Sequence, residues 1–130
     1  MKGQIALITI ITDDVNRLAC FYQSVLGFQI LQDLGQYVEL VNPGVRFAIC
    51  TRSIMESATG NETYREPRSG LCFELAFPVD SAAEVDQVYA DIIRKGAVAI
   101  QPPATMPWNQ RTAFFADPDG NIHELFAEIG

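Results

Sequence analysis

The amino-acid sequence predicts an α+β fold built from two consecutive βαβββ modules. The order strand, helix and three further strands is predicted twice, at about residues 4–50 and 70–128. In each copy a proline- and glycine-containing turn precedes the last strand: Asn42-Pro43-Gly44 in the first and Asp117-Pro118-Asp119-Gly120 in the second. Because a duplicated unit severely restricts the possible architectures, this repeat is the most informative feature of the chain.

The first module begins with an apolar, β-branched run that predicts a strand over Gln4–Thr12. Asp13 or Asp14 then caps a helix whose apolar residues recur at helical spacing, and Gly27 ends that helix. Three strands complete the module, the last two as a hairpin: Phe28–Leu31, Tyr37–Val41 and Val45–Cys50.

Residues Thr51 to Ser69 combine Ser, Thr, Gly, Asn, Pro and mixed charges without an apolar period. We interpret this stretch as a linker between the modules. Because it is long for a connection inside a compact domain, we expect it to be functional, mobile or wrapped over another surface.

The second module repeats the pattern, beginning with a strand predicted over Leu71–Val79. Ser81, followed three residues later by Glu84, predicts a capping box at the start of a helix. Gly96 ends that helix, Ala97–Gln101 is a short strand, and a hairpin around the Asp-Pro-Asp-Gly turn completes the module.

Length and charge exclude several classes of protein. The 130 residues make up a single domain by length, and no apolar run approaches the roughly 20 residues needed to span a bilayer. The net charge of −7 argues against nucleic acid and anionic membrane as partners, since both bind basic patches. Cys20, Cys50 and Cys72 are widely spaced, which fits reduced thiols in the cytoplasm, and we expect Cys50 and Cys72 to fill space.

The repeat makes positions in the two modules comparable. Glu124 lies four residues after the turn glycine of module 2, where module 1 has Ala48. Glu74 lies seven residues before the helix cap, where module 1 has Leu7. Because side chains alternate along a strand, we expect these four positions to face away from the helices and to line one groove.

The paired motifs resemble those of one superfamily. The segment Asp14 to Phe28, the run Asp117 to Asn121 and the pair Glu124-Leu125 resemble the vicinal oxygen chelate superfamily. That superfamily contains glyoxalase I, bleomycin-resistance proteins and extradiol dioxygenases. The resemblance covers essentially the whole chain. It implies modules that curl into half-barrels, a curved mixed sheet around a ligand groove, and a homodimer.

The resemblance also implies where a metal would be bound. In the metal-dependent members the four groove positions are His, Gln or Glu ligands of one divalent ion. Here they are Leu7, Ala48, Glu74 and Glu124, and two of these have no donor atom. We therefore expect no cofactor beyond weak binding of a divalent metal by the two carboxylates. His123, the single histidine, is adjacent to Glu124 and is expected on the opposite face of its strand.

A second resemblance favours binding without a metal. Pro107-Trp108, ahead of the strand that carries Arg111, resembles the corresponding segment of bleomycin-resistance proteins, with Asn109 where that motif usually has Gly. It implies a small organic ligand, such as a cationic aromatic compound, in an acidic and aromatic-lined groove. Stacking surfaces and negative charge would come from Trp108, Tyr37, Phe126, Glu74, Glu124 and Glu39.

The roles of the two carboxylates remain open at this point. Glu124 contacts a ligand, binds a metal, or pairs with Arg111, which the predicted hairpin register places diagonally across from it. Arg46 is a candidate partner for Glu74. If Glu74 and Glu124 lie close together, one of them has a raised pKa and could act as a general base.

The sequence therefore favours a metal-free, cytoplasmic protein that binds a small organic ligand in a groove completed by dimerisation. The alternative is a metal-dependent lyase, isomerase or dioxygenase of the glyoxalase type that uses Glu74 and Glu124. A ligand-sensing or interaction module is the third hypothesis.

Overall fold

The computed structural model describes residues 1–71 and 73–130. It confirms the two βαβββ modules, each with its own four-stranded mixed sheet. The chain divides into two compact units, Met1–Ser69 and Gly70–Gly130. Cys72 lies outside the described residues, so its role as filler stays a prediction. Within the described part of the chain, no helix is long and apolar enough to cross a membrane.

Unit 1 has strands in the order β1-β4-β3-β2, with β1 parallel to β4 and the other neighbours antiparallel. Helix α1 covers one face of this sheet, where its buried Tyr22 meets Phe47 edge-on at a ring distance of 5.4 Å. The elements are β1 (Leu7–Thr12), α1 (Val15–Ser24), β2 (Ile30–Asp33), β3 (Tyr37–Leu40) and β4 (Arg46–Thr51).

The start of α1 agrees with the sequence, whereas its end differs. Asp14 is the N-cap, and its side chain accepts a hydrogen bond of 3.0 Å from the Arg17 amide. The helix ends at Ser24, three residues before the predicted stop at Gly27, because the amides of the next residues fold back onto the last turn.

The predicted linker contains regular structure. Helix α2 (Arg52–Thr59) follows β4 directly, and a 3₁₀ helix (Glu62–Arg65) follows α2. The Thr51 hydroxyl caps α2 by accepting from the Ile54 amide at 3.3 Å, and Gly60 ends it at φ 68°. Helix α2 was not predicted because it has only eight residues, and its three apolar residues (Ile54, Met55 and Ala58) are too few for a helical period to stand out in the sequence.

Unit 2 has strands in the order β5-β8-β7-β6, with β5 parallel to β8. One face of this sheet packs on helix α3, whose buried residues are Val85, Tyr89 and Ile92. The elements are β5 (Ala76–Pro78), α3 (Ala82–Lys95), β6 (Val98–Met106), β7 (Gln110–Ala116) and β8 (Ile122–Glu128).

Two strands of unit 2 differ in length from the prediction. Strand β5 is shorter than the predicted Leu71–Val79, and β6 continues beyond Gln101. The extension of β6 contains Pro102-Pro103, which cannot donate hydrogen bonds. It is tolerated because β6 is an edge strand and its register shifts between Gln101 and Ala104.

Both hairpins of unit 2 turn through three residues that begin with proline and end with a residue at positive φ. The loops are Pro107-Trp108-Asn109, with Asn109 at φ 61°, and Pro118-Asp119-Gly120, with Gly120 at φ 84°. The amide of Asp117 donates to the carbonyl of Asn121 at 3.0 Å. This loop is one residue longer than the sequence analysis assumed, which changes the register of β7 against β8.

The cap of α3 provides a test of the fold. Ser81 Oγ accepts from the Glu84 amide at 3.1 Å, and the Glu84 carboxylate accepts from the Asp80 amide at 2.7 Å. Ser81→Ala should lower the free energy of unfolding by about 1 kcal/mol in urea denaturation. The reason is that the Glu84 amide, which has no acceptor within the helix, loses the Ser81 hydroxyl. Ser57→Ala, on the exposed surface of α2, is the control and should cause no loss. Equal effects of the two substitutions would contradict the assigned cap.

Candidate functional site

Two carboxylates meet on the sheet face of unit 2 that points away from α3. Glu124 lies in the middle of β8, paired with Phe114 of β7 and with Ala76 of β5. The side chain of Glu74, two residues before β5, lies close enough to that of Glu124 to change its protonation, and Glu74 itself is exposed. The parallel registers Ala76–Glu124 and Thr9–Ala48 confirm that Glu124 and Ala48 occupy equivalent positions in the two modules.

The environment of Glu124 changes its protonation. Burial raises the pKa of the Glu124 carboxyl, and the hydrogen bond to Glu74 and the negative charge of Glu74 raise it further. Two neighbouring carboxyl groups in such a site ionise one after the other, since the second charge is opposed by the first. The pair can therefore retain one proton at a pH where an isolated glutamate is ionised.

The surroundings of the carboxylate pair are apolar. Ile122 and Phe126 flank Glu124 on β8 and share its face by strand alternation. Phe114 lies across from Glu124 on β7, and all three apolar side chains are half-buried. This face therefore combines a negatively charged or proton-sharing group with aromatic surface.

A hydroxyl group without a partner lies on the same face. Thr112 is 1% exposed and pairs with Phe126 across the β7–β8 ladder. Within the described residues, its Oγ1 atom has no hydrogen-bond partner. A buried hydroxyl left unsatisfied costs about 1–3 kcal/mol. Such an atom indicates a place where a small molecule or water completes the hydrogen bonding.

The predicted pair between Arg111 and Glu124 is wrong. Because of the longer loop, Arg111 is opposite Ala127 and lies on the α3 side of the sheet, while Glu124 is opposite Phe114 on the other side. Arg111 forms a two-pronged ion pair with Asp86 of α3, at 2.7 and 3.1 Å. This pairing raises the pKa of Arg111 and leaves the carboxylates of the site without that arginine.

Unit 1 has its own buried carboxylate, and this one is neutralised. Glu39 is 4% exposed, and Arg46 donates to both of its oxygens, at 3.0 and 2.6 Å. The Tyr37 hydroxyl donates to the same carboxylate at 3.3 Å. Arg46 lowers the pKa of Glu39, while burial and the charge of Glu39 raise that of Tyr37. Arg46, which the sequence offered as a partner for Glu74, thus has its partner within unit 1.

The residues at the four positions implied for a metal do not fit a divalent ion. Leu7 is partly exposed and Ala48 is 0% exposed, and neither has a donor atom. Glu74 and Glu124 offer two neighbouring carboxyl groups as oxygen donors, without a nitrogen ligand. Among the residues that the structure describes, no three His, Cys, Asp or Glu side chains come together as a metal site.

Trp108 lies apart from the carboxylate pair. It occupies the tip of the β6–β7 hairpin, is 61% exposed, and donates from Nε1 to Gln110 at 2.9 Å. Gln110 in turn pairs with Glu128, four residues beyond Glu124 along β8, a separation of roughly 13 Å. Asn109 adopts the positive φ that a glycine would supply, so the loop keeps its shape without glycine.

His123 lies on the α3 side of β8, as the alternation predicts, and it is 0% exposed. Its Nδ1 atom accepts from the Leu75 amide at 3.2 Å, and its Nε2 atom lies 3.6 Å from Oδ2 of Asp117. It therefore contacts the segment that bears Glu74 rather than the open face.

Two features were missed by the sequence reasoning. Thr112 carried no signal, because a threonine in a strand is ordinary. A polar pocket of about 380 Å³ in unit 1 lies where α1 and α2 begin, and it could not be predicted without α2. Its lining includes Asp13, Asp14, Gln36, Thr51 and Arg52, and an ion pair of 2.8 Å joins Arg52 to Asp13.

A duplicated βαβββ fold with a carboxylate on the last strand defines a protein of the vicinal oxygen chelate type. Residues 4–125 match the family described as the Glyoxalase/Bleomycin resistance protein/Dioxygenase superfamily. The chain therefore belongs to that superfamily, as its motifs implied.

Relatives support this assignment over the whole chain. The uncharacterized protein YraH of Bacillus subtilis (strain 168) is 28% identical over 123 residues, covering 92% of this chain and 94% of the relative. A glyoxalase/bleomycin resistance protein/dioxygenase from Nocardioides has a TM-score of 0.86 at 27% identity, with 99% of this chain and 85% of that chain covered. A lactoylglutathione lyase from Agrobacterium tumefaciens shares the fold, with a TM-score of 0.72, 22% identity, and coverage of 97% and 94%.

The raised pKa of Glu124 predicts how stability depends on pH. The folded protein holds this proton more tightly than the unfolded chain does, so the group stabilises the fold below the ordinary glutamate pKa. That contribution is lost as the pH rises through the raised pKa. Glu124→Gln cannot ionise, so its free energy of unfolding should fall less than that of the wild type between about pH 4 and about pH 8.

Urea denaturation at a series of pH values measures this difference. Glu66→Gln removes an exposed carboxylate and is the control, expected to follow the wild-type profile. Parallel profiles for Glu124→Gln and the wild type would contradict the coupling between Glu124 and Glu74.

Proposed function

We propose that this protein binds a small organic ligand on the sheet face of unit 2 that bears Glu124, without a metal. A cationic or hydrogen-bond-donating group of the ligand sits on the Glu74–Glu124 pair. The observation that carries the proposal is the pair itself: two neighbouring carboxyl groups, of which Glu74 is exposed and Glu124 is half-buried with a raised pKa and, within the described part of the chain, without an arginine partner.

A cationic group suits this pair better than a neutral one. When the pair holds one proton, an ammonium or guanidinium group can displace that proton and face two negative charges in a partly desolvated site, where charge pairs are stronger than in water. In the acid–base contact of unit 1, Arg46 already compensates the buried Glu39. The Glu74–Glu124 pair is thus an acidic site that can still bind a cation.

The face also supplies contacts for the apolar part of a ligand. Phe114 lies opposite Glu124 on β7, Phe126 lies two residues along β8, and both are half-buried rather than fully packed. The Thr112 hydroxyl, which has no hydrogen-bond partner among the residues that the structure describes, lies next to Phe126. A ligand with an amine beside an aromatic or aliphatic body matches this arrangement of charge, ring surface and hydroxyl.

The enzyme hypothesis has a weaker physical basis in this chain. Metal-dependent chemistry in the superfamily relies on metal-binding side chains at four positions. At the two of these positions that lie in unit 1, this chain has Leu7 and Ala48, which cannot bind a metal. Membership of the superfamily does not decide between binding and catalysis, because the fold hosts both. The chemistry of the side chains at the site therefore favours binding.

The proposal predicts a pH-dependent affinity for cationic ligands. In a thermal-shift screen of aromatic and aliphatic amines, a ligand at about 100 times its Kd should stabilise the protein by about 2.7 kcal/mol. Because the amine stays protonated while Glu124 loses its proton, affinity should rise as the pH increases through the raised pKa of Glu124. Calorimetry in buffers of different ionisation heat should detect the released proton.

Single substitutions test which side chains bind the ligand. Glu124→Gln and Glu74→Gln should each weaken it by at least about tenfold, whereas Glu66→Gln should leave it unchanged. Trp108→Ala tests whether the distant hairpin tip contributes. Stoichiometric Ni²⁺, Zn²⁺ or Mn²⁺ in the purified protein, lost on Glu124→Gln, would contradict the proposal and favour the metal-dependent alternative.

Thr112 provides an independent prediction. Thr112→Val should leave the stability of the free protein unchanged or raise it by about 1 kcal/mol, because it removes a buried hydroxyl that has no partner. The same substitution should weaken binding of an amine found in the screen by about fivefold, the value of one hydrogen bond.

The matched control for Thr112→Val is Thr105→Val. The Thr105 hydroxyl accepts from Arg111 at 3.1 Å, so its loss should lower stability and leave binding unchanged. If Thr112→Val destabilises the free protein while binding stays the same, the hydroxyl has a structural role and does not contact the ligand.

A further inference from the structure

The backbone of Leu75 is held by two successive residues of β8. Its amide donates to Nδ1 of His123 at 3.2 Å, and its carbonyl accepts from the amide of Glu124 at 2.9 Å. Leu75 follows Glu74 directly and precedes the first residue of β5, Ala76. The attachment of Leu75 therefore decides where the carboxylate of Glu74 is presented.

The imidazole that holds Leu75 is itself fixed from several directions. Phe77 and Phe115 contact the His123 ring edge-on, with ring distances of 5.8 and 5.9 Å. Because Nδ1 accepts a hydrogen bond from an amide, the ring proton is on Nε2, and Nε2 points towards the buried Asp117 carboxylate at 3.6 Å. These contacts hold the His123 ring in one orientation, as the tautomer that carries its proton on Nε2.

We propose that His123 is a positioning residue for the Glu74–Glu124 pair. Its imidazole anchors the segment ahead of β5, and this anchor keeps the carboxyl of Glu74 in hydrogen-bond contact with Glu124 across the ladder. Without the Nδ1 acceptor, the segment before Ala76 loses the hydrogen bond that joins the Leu75 amide to β8, and Glu74 moves away from Glu124. The inference deepens the proposed function, since it concerns the same pair, but its test needs no ligand.

The test compares His123→Leu with His123→Asn in the whole protein by NMR. Leucine fills space without an acceptor, whereas the asparagine oxygen lies near the position of Nδ1. In His123→Leu, the Leu75 amide should exchange with solvent about tenfold faster relative to the core amides of β8. The Glu124 carboxyl should then titrate closer to an ordinary glutamate. In His123→Asn, both properties should stay near those of the wild type.

Two further variants separate positioning from general stability. Phe77→Leu removes one of the two aromatic rings that pack on His123 but keeps the imidazole. It should therefore leave the titration of Glu124 unchanged. If His123→Leu fails to fold, His123→Gln replaces it, because the glutamine amide reaches the Nε2 position and not Nδ1. The proposal is overturned if His123→Leu keeps the wild-type titration, if Phe77→Leu alters it equally, or if the Asn and Gln variants behave alike. None of these outcomes bears on whether a ligand binds.

Discussion

The structure of unit 2 depends on the buried carboxylate of Asp117. It accepts hydrogen bonds from the amides of Asp119 and Asn121, both at 3.0 Å, and from the Asn121 side chain at 2.8 Å. These bonds fix a three-residue loop and, with it, the register of β7 against β8. A slip of one residue would move every side chain of a strand to the other face. The position of Glu124 on the open face, and of His123 and Arg111 towards α3, follows from this turn.

The same turn explains where prediction from the sequence succeeded and failed. Counting from helix caps and turn glycines identified Ala48 as the equivalent of Glu124, since the repeat preserves the spacing within each module. The partner of Arg111 depended on loop length, and an error of one residue placed the side chain on the wrong face. Helix α2 (Arg52–Thr59) is too short for its apolar period to stand out in the sequence. Thr112 became notable only when its burial was known, together with its lack of a hydrogen-bond partner among the described residues.

The two units use one scaffold for opposite electrostatic arrangements. In unit 1, Glu39 on β3 faces Arg46 on the neighbouring strand, and the two charges compensate each other. In unit 2, the carboxylate lies on the last strand and meets a second carboxylate, while the nearby Arg111 is held by Asp86 on the other side of the sheet. The two sheets therefore carry a compensated ion pair in one unit and a proton-sharing acidic pair in the other.

An arrangement of this kind is unfavourable for the isolated fold. Two carboxyl groups oppose each other's ionisation, and a buried hydroxyl lies unsatisfied on the same face. Perturbed carboxyls and unpaired polar atoms in one place are typical of a functional site, where a bound molecule supplies the missing partners. A divalent ion would satisfy the charges but needs more donors than Glu74 and Glu124 provide. An organic cation needs only the charge, a hydrogen-bond acceptor and an apolar wall, and this face of unit 2 offers all three.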